Sequence, residues 1–352
     1  MAAEDLEHNV DLVCEGGGVK GIGLAGAYSV LEERGYRPVN VAGTSAGAIT
    51  AALIAAGYSS DELKEIVFGM DFRRFEDKSW EDRIPLAGVP LSILLTNGIY
   101  KGEAFLEWIR GLLAEKNVYT FADLRADWDE PKFESRLQVI ASDISSRQLL
   151  VLPRDAEVLG SRWDALEVAT AVRMSMSIPI FFETVRVPNP KTNHEHVIVD
   201  GGMLSNYPVW LFDRADGKAP RWPTFGLLLV EPDPKVPITE RIPKPEHAPR
   251  GARGLVTLLS SMVHTMMEAH DRLYVEKAEY ARTIPIPTLG VHTTEFDITH
   301  DRAQALYDSG RDAATAFLDT WNFEAYIAEF RTGKEQSRRE DIAHELEKTA
   351  VA

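Results

Sequence analysis

The chain has 352 residues, 45% of them hydrophobic and 26% charged, with a net charge of −16. That is enough chain for a large core in one or two domains, and an ordinary globular composition, so disorder is excluded as the overall state. The acidic balance argues against nucleic-acid binding, which wants clustered Lys and Arg, and it brings no bulk attraction to anionic membranes; it serves solubility.

The N-terminus, MAAEDLEHN, is acidic and lacks the apolar run of a secretory signal, and no stretch reaches the roughly 18 apolar residues of a spanning helix. The expectation is a soluble, cytoplasmic protein with membranes as at most a surface partner. The one cysteine, Cys14, allows no intrachain disulfide and fits as a small buried hydrophobe.

A short apolar strand, about Val10 to Cys14, opens the fold. A glycine-rich turn follows, then a helix with Leu24, Ala27, Val30 and Leu31 on one face and Gly35 at its C-terminal end, where a left-handed residue is wanted. RPVNVAG gives a second strand, and Ser45 starts a second helix running to Gly57. Strand, turn, helix repeated twice implies parallel strands joined by right-handed crossovers. From Ser59 to Pro131 the pattern is mainly helical and rich in aromatics, and the segment Phe68 to Leu95 is a candidate mobile cover over an acyl pocket.

Leu137 to Ser145 is a strand with QLLVLPRD as its partner, and RWDALEVATAVRMSMSIP is a helix that stops before Pro179. HVIVDGGM is a strand ending at Asp200, and Thr224 to Pro232 is another buried strand. Six prolines between Pro232 and Pro249 mark an irregular connection. Leu255 to Arg282 has the spacing of a long amphipathic helix, its Met-rich stripe assigned to the core, and Ala303 to Phe330 repeats the pattern. The organisation expected is a tail over 1–9, one domain over 10–330 with core motifs in 10–230 and a helical part in 255–330, and a charged tail over 331–352.

Three motifs carry chemistry. Gly43-Thr44-Ser45-Ala46-Gly47 lies between strand and helix, the form of a nucleophile elbow. Its glycines keep side chains out of a crowded turn, and Ser45 Oγ would project at the positive end of a helix. The same residues also suit a plain turn with a serine N-cap.

Gly16, Gly17, Gly18, Lys20 and Gly21 follow the first strand, where adjacent N–H groups can converge on a developing oxyanion and Lys20 adds a cation. A dinucleotide fingerprint would need an acidic residue about 20 positions on, and Ala42 to Ser45 stand there instead. Asp200 ends an apolar strand ahead of Gly201 and Gly202, as a base or as a turn residue.

Taken together, GGGVKG, GTSAG and DGG, with GIYKGEAF, ASDISSRQ, AVRMSMSIPIFF and DGGMLSNYPV, resemble the patatin-like phospholipase family over about Val10 to Val230. The oxyanion loop departs from many members in carrying Lys20 instead of arginine. The resemblance implies a three-layer α/β/α sandwich with a mainly parallel central sheet. It also implies a Ser–Asp dyad without histidine: Ser45 as nucleophile, Asp200 as base, and the N–H groups of Gly17 and Gly18 as the foremost oxyanion donors.

No cofactor or metal is called for, because a serine mechanism needs none and no EF-hand loop is visible. His194 and His196 fall in a polar stretch and are expected to be solvated. His264 and His270 lie six apart, about 120° around one helix. A Ser–Asp–His order remains formally open with His264, His270, His292 or His300.

The leading function is hydrolysis of phospholipid or lysophospholipid acyl esters through an acyl-enzyme. An acyltransferase or thioesterase on the same fold is the first alternative, and a non-catalytic storage or regulatory lipid-binding protein the second. Head-group preference, sn-1 against sn-2 choice and oligomeric state are not written in these motifs.

Overall fold

A computed structural model describes residues 8–70, 98–126, 132–214, 218–230 and 277–331, less positions 294 and 296, together with two short strands in the 85–90 region. In chain order the elements are β1 (Asn9–Cys14), α1 (Ile22–Glu33), β2 (Arg37–Thr44), α2 (Ala46–Ala55), α3 (Ser60–Gly69), β3 (Pro85–Leu86), β4 (Val89–Pro90), β5 (Gly98–Tyr100), α4 (Glu103–Glu115), β6 (Leu137–Asp143) and β7 (Gln148–Leu152). There follow α5 (Val168–Ser175), β8 (Ile180–Phe182), β9 (Val185–Asn189), β10 (His194–Asp200), β11 (Thr224–Val230), a helical turn at Lys277–Tyr280, β12 (Thr283–Pro287), α6 (His300–Leu318) and α7 (Phe323–Phe330).

Eight strands form one mixed sheet in the order β12-β11-β1-β2-β6-β10-β9, with β7 also paired to β6. The run β12-β11-β1-β2-β6 is parallel, while β7, β9 and β10 are antiparallel to their partners. The steps from β1 to β2 and from β2 to β6 move across the sheet in one direction. Right-handed crossovers therefore place α1 and α2 on the same face.

Alternation along the strands sorts the two faces. Leu12, Cys14, Val41, Val139, Leu227 and Leu229 join the large core with α1, α2, α5 and α6, whereas Val13, Ala42, Ile140, Val151 and Leu228 meet Phe133 and the turn from Tyr207 to Phe212. Among the described residues, then, one face carries the helical layer and the other is covered by turns. The expected helix Leu255 to Arg282 lies outside the described residues except for its last turn.

α1 is buried from Ile22 to Leu31, on every side and not along one stripe, because α6 lies across it. That crossing is closer than side chains allow. A Cβ on Gly26 would stand 1.9 Å from the Tyr307 carbonyl oxygen, and one on Gly310 would stand 2.0 Å from that of Gly23. Gly35 takes φ +83° just after α1 and lets the chain turn into β2. α3 begins with a capping box, Ser59 and Glu62 each bonding the other's backbone N–H.

The clash at Gly26 is with backbone and cannot be relieved by a rotamer change. Gly26→Ala is expected to destabilise the fold by about 1–3 kcal/mol, the usual range for overpacking. A thermal melt against wild type checks this; an unchanged midpoint would show that α1 and α6 are not locked together.

Candidate active site

The meeting of Ser45 and Asp200 follows from strand pairing. On β6, Val139 and Ile140 pair with both β2 and β7, so β2 and β7 occupy opposite edges. Ala141, Ser142 and Asp143 pair with both β7 and β10, so β10 lies on the same edge as β2. β2 runs parallel to β6 and ends with Thr44 opposite Ile140; β10 runs antiparallel and ends with Asp200 opposite Ala141. Two strands thus approach head-on along one edge, and the residues that leave their C-termini share one small volume. Sequence reasoning brings these residues together on the common C-terminal edge of a parallel sheet; the convergence holds, but β10 is antiparallel to its neighbour.

Ser45 sits in the elbow with φ 52° and ψ −127°, a region costing a non-glycine residue about 1–3 kcal/mol. Surrounding contacts hold it there. A Cβ on Gly43 would lie 2.2 Å from the Gly47 carbonyl oxygen, and one on Gly47 would lie 2.3 Å from that of Cys14. Only glycine fits two positions to either side of the serine. Thr44 donates its hydroxyl to the Ser205 carbonyl at 3.2 Å, and Ala46 opens α2.

Sequence reasoning missed the tripeptide that brackets the pair. The Ser45 N–H donates to Ser175 Oγ at 2.8 Å, the Ser45 hydroxyl donates to Met176 Sδ at 3.6 Å, and the Asp200 N–H donates to the Ser177 carbonyl at 2.9 Å. Two serines at the end of an otherwise apolar helix, in the run Arg173-Met-Ser-Met-Ser177, were the available signal.

Asp200 is fully buried. Its Oδ1 accepts the Gly202 N–H at 2.8 Å, and its Oδ2 has no hydrogen-bond donor in alignment. Burial disfavours the charged form and pushes this carboxyl up to about 7, against a smaller opposing effect of the nearby Ser45 hydroxyl and the Gly202 N–H. The hydroxyl is close, but its O–H is turned to Met176.

The glycine loop abuts the elbow. A Cβ on Gly16 would reach within 3.0 Å of Ser45 Cβ, and one on Gly21 within 3.4 Å of Ala46 Cβ. Gly18, at φ +55°, is pressed against Thr293, whose carbonyl accepts the Val19 N–H at 3.1 Å. The loop closes with the Lys20 N–H on the Gly17 carbonyl at 3.2 Å, and the Lys20 side chain is buried.

The N–H of Gly16, expected in the oxyanion loop, is engaged by the Asn206 carbonyl at 3.2 Å. Asn206, which sequence reasoning missed, also donates from Nδ2 to the Gly16 carbonyl at 2.9 Å and to Glu15 at 3.2 Å. Among the described residues no backbone acceptor meets the N–H groups of Gly17 or Gly18.

An apolar cleft, partly open to solvent, adjoins this corner. Gly18, Ala46 and Met176 line it beside the elbow, and Ile49, Phe105, Ile178, Phe181 and Phe182 are among its other walls. Of the segment Phe68 to Leu95, Met70 lines the cleft; positions 71–84, 87–88 and 91–95 lie outside the described residues, as do His264 and His270.

His292 and His300 are exposed, and among the described residues no histidine nitrogen bonds Ser45 or Asp200. His196 is not solvated as expected: it is buried, with Nδ1 2.7 Å from Asp143 Oδ2. Among the described residues no three His, Cys, Asp or Glu gather as metal ligands, and no helix is long and apolar enough to cross a membrane.

Comparison with known proteins places this geometry in context. The family model of the patatin-like phospholipases matches residues 12–213. Over 315 residues the chain is 36% identical to the uncharacterized protein YqhO of Bacillus subtilis (strain 168), spanning 89% of this chain and 99% of that one. It is 28% identical over 208 residues to an uncharacterized NTE family protein of Mycobacterium tuberculosis (strain ATCC 25618 / H37Rv), a stretch that is 59% of this chain and 29% of the relative. Among solved structures, VipD from Legionella pneumophila has a similar fold, with TM-score 0.50 and 18% identity over 89% of this chain and 67% of that one. The glycine loop, the elbow and Asp200 all fall inside the matched region, and the chain belongs to the patatin-like phospholipase family.

Proposed function

We propose that the protein hydrolyses fatty acyl esters of phospholipids or lysophospholipids, with Ser45 as nucleophile and Asp200 as its base. The observation that carries the reading is a serine in a strained elbow beside a fully buried carboxylate with one unpaired oxygen, next to an apolar cleft lined by Gly18, Ala46 and Met176. Rotation about the Ser45 Cα–Cβ bond turns the O–H from Met176 to Asp200 Oδ2. Asp200 takes the proton as Oγ attacks the ester carbon, and the proton passes to the leaving alcohol. The same carboxylate then activates the water that releases the fatty acid.

The negative charge on the carbonyl oxygen is met by the N–H groups of Gly17 and Gly18 and by the N-terminus of α2. Burial makes Asp200 a stronger base than a solvated carboxylate, which offsets the lack of an imidazole. The cleft walls receive the acyl chain. The substrate is met at a membrane surface without any segment needing to cross it.

A fluorophosphonate is expected to add once to the wild type, on Ser45, and not to Ser45→Ala, as read by intact mass and peptide mapping. An adduct on the alanine variant would remove Ser45 from its role.

The base must be ionised, so kcat/KM on a soluble ester should rise with pH, with its half-point near about 7. Asp200→Asn should lose on the order of 10³ in kcat while remaining folded. The folded chain keeps the Asp200 proton up to about pH 7, whereas an unfolded chain releases it near about 4. Between these values the folded state holds more protons, so this group's contribution to stability falls as pH rises. Asp200→Asn should therefore raise the melting temperature more at pH 8 than at pH 5. Equal shifts at both would mean that the carboxyl titrates normally.

A further inference from the structure

Arg173, on α5, is buried, and its guanidinium bonds three separate parts of the site. Nε donates to the Gly102 carbonyl at 3.2 Å, and Nη2 to the carbonyls of Lys101 at 2.7 Å and Glu183 at 3.0 Å. Nη1 donates to Ser177 Oγ at 2.5 Å, and that hydroxyl donates back to the Arg173 carbonyl at 2.9 Å. The Phe182 ring lies 5.3 Å from the guanidinium carbon.

Each partner leads to the site. Ser177 is the residue whose carbonyl holds the Asp200 N–H. Gly102 is the left-handed N-cap of α4, one turn before Phe105 of the cleft. A Cβ on Gly102 would stand 2.2 Å from Arg173 Nε, so the glycine is what lets the arginine in. Glu183 follows β8, which carries Phe181 and Phe182 and pairs in parallel with β5 just before Lys101. The same helix delivers Ser175 to the Ser45 N–H.

A planar, always-charged fork spanning four acceptors sets distances between them in a way that a single flexible ammonium cannot. We propose that Arg173 is a positioning residue that holds Asp200 in register with Ser45 through Ser177, while fixing the aromatic wall of the cleft through Lys101, Gly102 and Glu183. The proposal rests on the assignment of Ser45 and Asp200 as nucleophile and base. Arg173 touches no reacting atom; its effect is on the separation of two groups that do, and a misplacement of about 1 Å can cost on the order of 10² in rate.

The test uses the full chain, a soluble p-nitrophenyl butyrate assay and thermal melts, with Arg173→Met, Arg173→Lys and Ser177→Ala beside Ser45→Ala. Arg173→Met should lower kcat per folded molecule by on the order of 10² with KM changed less than about threefold, because the loss is in alignment and not in binding. Arg173→Lys should recover part of kcat. Ser177→Ala, which removes one hydroxyl and leaves the other arginine bonds, should lower kcat in the same direction with a melting point close to wild type.

Unchanged kcat per folded molecule in Arg173→Met and Ser177→Ala, with only the melting point reduced, would overturn the positioning role. So would a loss confined to KM. If Ser45→Ala keeps its activity, the nucleophile assignment falls and the proposal with it. An inactive Ser45→Ala beside fully active arginine variants overturns the positioning role alone.

Discussion

The site depends on one constraint of sheet geometry: β2 and β10 share one edge of β6 and run toward each other. A strand edge offers a fixed number of backbone partners, so where the pairing of one strand stops, the other can begin. Thr44 stops at Ile140 and Asp200 stops at Ala141. The chain must leave the edge at that seam in both directions, and the residues that leave are the elbow serine and the glycines after Asp200. A one-residue slip of β10 would also reverse its faces, turning Ile198 and Asp200 away from the helical layer. The register is therefore held by the core as well as by hydrogen bonds.

The seam is crowded, and the crowding explains the composition around it. Gly43, Gly47 and Gly201 each lack room for a methyl group against neighbouring backbone oxygens. The same crowding removes water from Asp200 and keeps its carboxyl far above the usual range. Strain at Ser45 and a charge kept out of water both oppose folding, and the large core along Leu12, Cys14, Val41 and Leu227 offsets them. Asp11, within β1, is likewise buried and pushed up to about 7, although Asn40 donates to its carboxylate at 2.5 Å.

Much of this was legible in the sequence. The first two strand–turn–helix units, the elbow, the glycine loop and the strand ending at Asp200 announce themselves through β-branched runs interrupted by glycine. What stayed hidden has physical reasons. β9 and β12 contain prolines, Pro188 in one and Pro285 and Pro287 in the other, which argue against strands unless the strand is an edge; each of these two pairs with a neighbour on one side only. α1 shows no clean stripe because α6 buries its other side, a contact made by residues nearly 300 positions away. Ser175 accepts a backbone N–H on its hydroxyl, Ser177 accepts one on its carbonyl, and Asn206 bonds the Gly16 backbone, and hydrogen bonds to backbone groups leave no spacing signature. His196 lies in a polar stretch, yet it turns inward because Asp143 is buried opposite it. Gly16 belongs to the right loop, but only the fold reveals that Asn206 already occupies its N–H.

The central claim is that Ser45 becomes acylated. The most direct measurement is intact mass and peptide mapping after acid quench of the wild type during turnover of a long-chain ester. The account predicts a transient added mass of one acyl group on the peptide containing Ser45, absent from Ser45→Ala. An acyl group on any other residue, or full turnover by Ser45→Ala, would contradict it.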